Sequence, residues 1–167
     1  EELEPGQIYD SNRLALAGEL AQLGLEVVDG GRVPDDPAAL RRAFDEAAGC
    51  DLVISSGGVS VGEFDQVKQV LAEKGEVALW KVAIKPGKPL AFGRLGRAHF
   101  FGVPGNPVSA LVTFRQFVLP ALVRWQGGRY TPTRVPAEAG DAFERRQAGR
   151  TEYLRARLHW DAGRLIA

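Results

Sequence analysis

Asp51-Leu52-Val53-Ile54-Ser55 is a short apolar run that breaks at once into Ser56-Gly57-Gly58-Val59-Ser60-Val61-Gly62-Glu63-Phe64-Asp65, after which a helical pattern begins. A run of this length bounded by glycines predicts a buried strand. The order strand, glycine loop, helix start leaves backbone N–H groups at the strand's carboxyl end with a helix N-terminus behind them, the place where open α/β sheets bind phosphates and other anions. Gly57-Gly58 alone reads as well as a tight turn. The hydroxyls of Ser55, Ser56 and Ser60, and Gly62, which permits close backbone approach, favour an anion loop. Asp65 falls at the start of the following helix, where it reads as an N-cap, a Mg²⁺ ligand, or both.

Strands and helices alternate on either side of this stretch. Upstream, Asp10 or Ser11 caps a helix with Leu14, Leu16, Ala17, Leu20, Ala21 and Leu23 on its apolar face and Gly24 at its C-terminal end. Leu25 to Asp29 predicts a strand, and Pro37 opens a helix carrying Leu40, Phe44 and Ala47. Downstream come a helix from Asp65 to Lys74, a strand from Val77 to Ile84, and a hairpin of Pro89 to Arg94 and Ala98 to Val103 around Leu95-Gly96-Arg97. A long helix from about Pro107 to Trp125 follows, in which Pro120 predicts a kink. The alternation predicts an α/β domain over residues 1–128, with a mostly parallel sheet and helices on both faces. Past Gly127-Gly128, residues 129–167 predict a partial β subdomain with strands at Arg134 to Pro136 and Tyr153 to Trp160.

Three lysines form a second candidate site. Lys81 and Lys85 are an even number apart, which on one extended strand puts both on the same face, and Pro86 and Pro89 stiffen the turn that holds Gly87 and Lys88. Such a cluster near a glycine loop suits a multiply charged oxyanion. Pro104-Gly105-Asn106-Pro107, ahead of the long helix, adds a third anion-friendly turn. Lys and Arg balance Asp and Glu at 21 each, so no global field favours nucleic acid or an anionic membrane. Cys50 has no disulfide partner and reads as packing, His99 and His159 have no metal-ligand spacing, and no apolar run is long enough to span a bilayer. With no signal-peptide pattern at the start of the sequence, a cytoplasmic protein is the default expectation.

Gly57 to Asp65, Lys85-Pro86-Gly87-Lys88-Pro89 and Pro104-Gly105-Asn106-Pro107, with Gly6-Gln7-Ile8-Tyr9-Asp10-Ser11-Asn12-Arg13 ahead of them, resemble the molybdopterin molybdenumtransferase family, MoeA in bacteria and the E domain of gephyrin in animals. The resemblance runs from Glu1 to about Gly128. It implies a MogA-like three-layer α/β/α domain that binds adenylylated molybdopterin, inserts molybdate and releases AMP, with Mg²⁺ needed. It carries Asp65, Lys81 and Lys85 over as catalytic residues, with Asp65 on the metal. Gly57, Gly58, Ser60, Gly62, Lys88, Pro104, Gly105 and Asn106 carry over as substrate-binding residues, joined by Arg155 near molybdate at the start of the C-terminal β subdomain. The partners implied are a second copy, in a homodimer of the complete protein, and a MogA-type adenylyltransferase in the same pathway. Compared with the family the chain looks like an excerpt, lacking a first strand, the dimerising N-terminal domains and the rest of the C-terminal domain. That implies ligand binding without complete turnover. An adenylyltransferase of the same fold and a non-catalytic scaffold or receptor-binding module are the alternative readings.

Overall fold

A computed structural model describes residues 4–6, 8–58, 64–142 and 149–167, and only the backbone of Phe64, Asp65, Gln66, Lys68, Leu79 and Trp80. The chain runs α1 (Ser11–Ala21), α2 (Pro37–Ala47), β1 (Leu52–Ser56), α3 (Phe64–Lys74), β2 (Gly75–Lys81), β3 (Ile84–Lys85), β4 (Pro89–Leu95), β5 (Ala98–Val103), α4 (Pro107–Thr113), α5 (Leu119–Trp125), β6 (Thr151–Glu152), β7 (His159–Asp161) and β8 (Arg164–Ile166). The caps explain where the helices start. Asp10 accepts the Arg13 N–H at 3.2 Å, Asp36 accepts that of Ala39 at 2.8 Å with Pro37 in the first turn, and Asn106 accepts that of Ser109 at 3.2 Å.

The principal sheet has the order β1-β5-β4-β2. β1 and β5 are parallel, with Ser56 opposite Val103, while the hairpin β4–β5 and the pair β2–β4 are antiparallel. The fold is thus α/β as expected, with the hairpin making the sheet mixed. β1, β5 and β2 point the same way, so Ser56, Val103 and Lys81 all finish at one end of the sheet.

Strand alternation splits the core into two layers. Phe100, Ala91 and Leu95 meet Leu40 and Phe44 of α2 and Val67, Val70 and Leu71 of α3 on one face. On the other, Phe101, Val103 and Leu90 meet Leu16 of α1 and Ala110, Phe114, Val118 and Leu122 of the C-terminal helices. Adjacent residues such as Phe100 and Phe101 therefore serve opposite layers, and β5, the strand between them, is the most buried. Phe44 packs edge-on to Phe100 at 5.9 Å, a contact worth about 1 kcal/mol beyond the area it buries.

The long helix is continuous through Pro120 by way of a π-helical turn over Phe114–Val118. Proline lacks an N–H and crowds the carbonyl four residues back, and a wider turn at that place accommodates both. The expected irregularity takes this form.

Several predicted strands are missing or have other bounds. Among the described residues Leu25 to Asp29 joins no ladder: β1 bonds to β5 alone, and its other edge borders a groove of about 1600 Å³. Leu52 and Ile54 line that groove, and so do Leu25, Val27 and Val33. Arg134 to Pro136 forms no strand either, since Pro132 and Pro136 lack the donors a ladder needs. Tyr153 to Trp160 is not one strand. The Tyr153 N–H continues the β3–β6 pairing by bonding Lys85 O at 2.8 Å, residues 154–158 are exposed and join no strand among the described residues, and His159 and Trp160 belong to β7. Finally, the strand predicted from Val77 to Ile84 ends at Lys81. Val82 turns off by donating to Lys88 O at 2.9 Å, and Ile84–Lys85 pairs instead with β6.

Candidate functional site

The carboxyl ends of β1 and β5 lie side by side, so the turns that leave them meet. Gly57 donates to Val103 O at 3.0 Å, and a Cβ placed on Gly105 would be only 3.5 Å from the Gly57 Cα. The two turns thus touch backbone to backbone. Gly58 has φ +66°, and a Cβ there would come within 2.9 Å of Val67 on α3, so both conformation and space require glycine. Asn12, at the start of α1, reaches into this junction and donates to Ser56 Oγ and to Gly105 O, each at 2.7 Å. The Ser55 hydroxyl is buried at the end of β1 with no partner among the described residues.

Of the residues singled out from sequence, Gly57, Gly58, Pro104, Gly105 and Asn106 converge here. Ser60 and Gly62 lie outside the described residues, and Asp65 is placed by its backbone in the first turn of α3. Among the described residues no group of three or more His, Cys, Asp or Glu is arranged to hold a metal ion.

The lysines occupy the same end of the sheet but the opposite edge. Lys81 ends β2, three strand spacings from β1 or about 14 Å, and lies opposite Pro89, next to Lys88. The even-spacing argument for Lys81 and Lys85 does not hold, because the chain leaves β2 between them. Lys85 is exposed at its side chain and pairs with Glu152 Oε1 at 3.4 Å. All three ammonium groups belong to exposed residues. The loop between them is fixed from below. The Lys85–Pro86 peptide is cis, Gly87 has φ +106°, and a Cβ there would be 2.6 Å from Thr113 Oγ1 and 3.5 Å from Ser109 O on α4. The same helix is capped by Asn106 at the glycine junction, so α4 ties the two halves of the site together. Arg155 is exposed, two residues beyond the Tyr153 that bonds Lys85 O.

Thr113 and Glu152 were not singled out by sequence reasoning, and Asn12 entered only within the Gly6–Arg13 stretch that carries the resemblance, with no role assigned. Their partners are distant in sequence, 93 residues for Asn12 and Gly105 and 67 for Glu152 and Lys85, so no local spacing could reveal them. Near the junction, Arg13 bonds Asp29 at 2.7 Å; the Gly31 N–H first, and then Arg13, hold the Asp29 carboxyl below its usual range. His99 stacks on Trp125 at 4.1 Å, and Cys50 is half-buried beside the groove.

Two facing glycine turns at the carboxyl ends of parallel strands, with a lysine loop across the same sheet end, give this α/β fold an arrangement of the kind that suits an anionic ligand. The family described as "Probable molybdopterin binding domain" matches residues 1–124, and the chain belongs to it. A molybdopterin molybdenumtransferase of Haemophilus influenzae is 56% identical over 126 residues, covering 75% of this chain and 31% of that protein. The solved molybdopterin biosynthesis moeA protein of Pyrococcus horikosii is 39% identical with a TM-score of 0.67, over 76% of this chain and 32% of that one. The Thermus molybdopterin biosynthesis enzyme MoaB, 24% identical with a TM-score of 0.57 over 75% of this chain and 91% of its own, shares the fold. The chain thus spans about a third of the length of the curated molybdenumtransferases it matches.

Proposed function

We propose that this chain is the pterin-binding part of a molybdopterin molybdenumtransferase, which takes up molybdate into adenylylated molybdopterin and releases AMP. The observation that carries the reading is the placement of the Gly57-Gly58 and Gly105 turns and the Lys81–Lys88 loop at one end of one sheet, on opposite sides of it. A separation of about 14 Å suits a ligand with phosphate at one end and an acceptor for molybdate at the other. Backbone N–H groups of the glycine turns would hold the phosphoanhydride. Lys81, Lys85 and Lys88 would attract the molybdate dianion and offset the charge that develops as the phosphoanhydride opens. Arg155 would join them from the segment after β6.

Mg²⁺ would screen the phosphate charge, with Asp65 as its carboxylate, a role that rests on the position of Asp65 after the glycine loop. Asp65 would be joined by phosphate oxygens and water in holding the ion, since the described residues offer no metal cluster. Residues 1–128 would form the binding domain and 129–167 the opening of a β subdomain. The complete protein would act as a cytoplasmic homodimer supplied by an adenylyltransferase of the same fold; among the described residues, no helix is long and apolar enough to cross a membrane.

The test uses the complete protein with adenylylated molybdopterin and molybdate. AMP should appear only when molybdate is added and no ATP should be consumed. ATP consumption with molybdopterin would assign the chain to an adenylyltransferase instead, and AMP release indifferent to molybdate would remove the transferase reading.

A further inference from the structure

Asn12 is 8% exposed, and its amide nitrogen places both of its hydrogens on the glycine junction: one on Ser56 Oγ and one on Gly105 O, each at 2.7 Å. A carbonyl can only accept, so the nitrogen of the amide must face Gly105. Ser56 Oγ in turn donates to Pro104 O at 3.4 Å. These bonds join the start of α1, the end of β1 and the turn after β5, three segments that share no local sequence.

The glycines themselves explain why such a brace is needed. Gly57 and Gly58 have φ of +89° and +66°, and Gly105 faces Gly57 with no side chain on either. Turns built this way allow a ligand close to the backbone but carry no side chain that interlocks them beyond the Gly57 N–H to Val103 O bond at their root, and glycine has more conformational freedom than any other residue. Further rigidity must come from outside the turns, and Asn12 is placed to supply it to both.

We propose that Asn12 is a positioning residue that fixes the separation of the Gly57-Gly58 and Gly105 turns, so that the N–H groups of both address one phosphate-bearing ligand. The proposal rests on the anion-binding reading above. It goes beyond that reading by assigning preorganisation of the site to a side chain that itself need not touch the ligand.

The experiment measures AMP binding to the complete protein by calorimetry, alongside its melting temperature, for wild type, Asn12→Ala, Ser56→Ala and the double variant. Asn12→Ala removes both 2.7 Å bonds, including the one that reaches the Gly105 turn directly, and should weaken AMP binding about tenfold or more; Ser56→Ala removes the Asn12–Ser56 bond and the longer Ser56–Pro104 bond but leaves Asn12 on Gly105 O, and should weaken it less. The double variant should resemble Asn12→Ala, because the two act as one unit. If Asn12→Ala does not fold, the loss in Ser56→Ala alone decides. Variants that melt lower yet bind AMP like wild type would overturn the proposal and leave Asn12 a residue of stability alone. Wild-type protein that fails to bind AMP would instead overturn the anion site, and the positioning role with it.

Discussion

Gly87 holds the lysine loop in place through what it lacks. With φ +106° it adopts a conformation L side chains avoid, and the nearest atom to a new Cβ would be the hydroxyl oxygen of fully buried Thr113, which has no room to retreat. Gly87→Ala should therefore cost about 2 kcal/mol, from backbone strain together with overpacking. Thr113→Ala, added to it, should recover the packing part but not the backbone part. Full recovery in chemical denaturation would show that φ at this position carries no strain. The motif around Gly87 was legible in the sequence as a stiff Lys-Pro-Gly-Lys turn, but Thr113 was not, because a residue buried beneath a loop 26 positions away leaves no mark on local spacing. The roles of Asn12 and Glu152 were hidden for the same reason. What could be read at this scale was the glycines, whose need for unusual backbone conformations is local.

At the scale of elements, α2 and α3 are joined across their exposed faces by two ion pairs, Arg41–Glu73 at 2.7 Å and Lys74–Asp45 at 2.6 Å. The hydrogen bonds from Arg41 hold the Glu73 carboxyl below its usual range, and Glu73 holds Arg41 above its own. A carboxylate depressed on folding adds stability above its unfolded pKa of about 4.3 and loses it as pH falls through the lower folded value. Raised Arg41 titrates far on the alkaline side and contributes nothing to that window. The difference in urea midpoint between wild type and Glu73→Gln should thus be visible at pH 6, shrink toward pH 3, and shrink also in high salt, since both partners are exposed. A difference independent of pH would mean that the pair contributes nothing. Helices such as α2 were readable because cap, proline and apolar face all lie within eleven residues. Leu25 to Asp29 misled because a strand is defined by its partner, and the free edge of β1 does not pair with it. Lys81 to Lys85 misled in the same way: the sequence stays extended in character while the chain moves from one sheet to another.

The whole molecule has one double-layered core, and every buried member of its two clusters lies at or before Leu122. The described residues of 129–167 add none of it. Bonds around the lysine loop attach the described part of that segment to the rest, among them Thr151 N–H to Ala83 O and Tyr153 N–H to Lys85 O, both 2.8 Å, Tyr153 Oη to Gln116 Oε1 at 3.0 Å, and the Lys85–Glu152 pair. Each such bond contributes about 1 kcal/mol or less on an exposed surface, whereas a buried phenylalanine such as Phe100 or Phe114 contributes about 2 to 3 kcal/mol. A chain ending at Gly128 should therefore unfold in a single cooperative transition, with a melting temperature only a few degrees below that of the 167-residue chain. Ligand binding should suffer more than stability. β3 loses β6, the strand it pairs with, and the loop from Val82 to Lys88 loses its bonds to Thr151 and Tyr153 while keeping the Val82–Lys88 bond and the seat of Gly87 on α4. Molybdate affinity, measured by calorimetry on the two chains, should fall in the shorter one while AMP affinity, set at the glycine junction on the other side of the sheet, holds. Loss of cooperative unfolding would show that the boundary at Gly128 cuts through a single folding unit, and an equal fall in both affinities would show that the lysine loop and the glycine junction are not separate halves of the site.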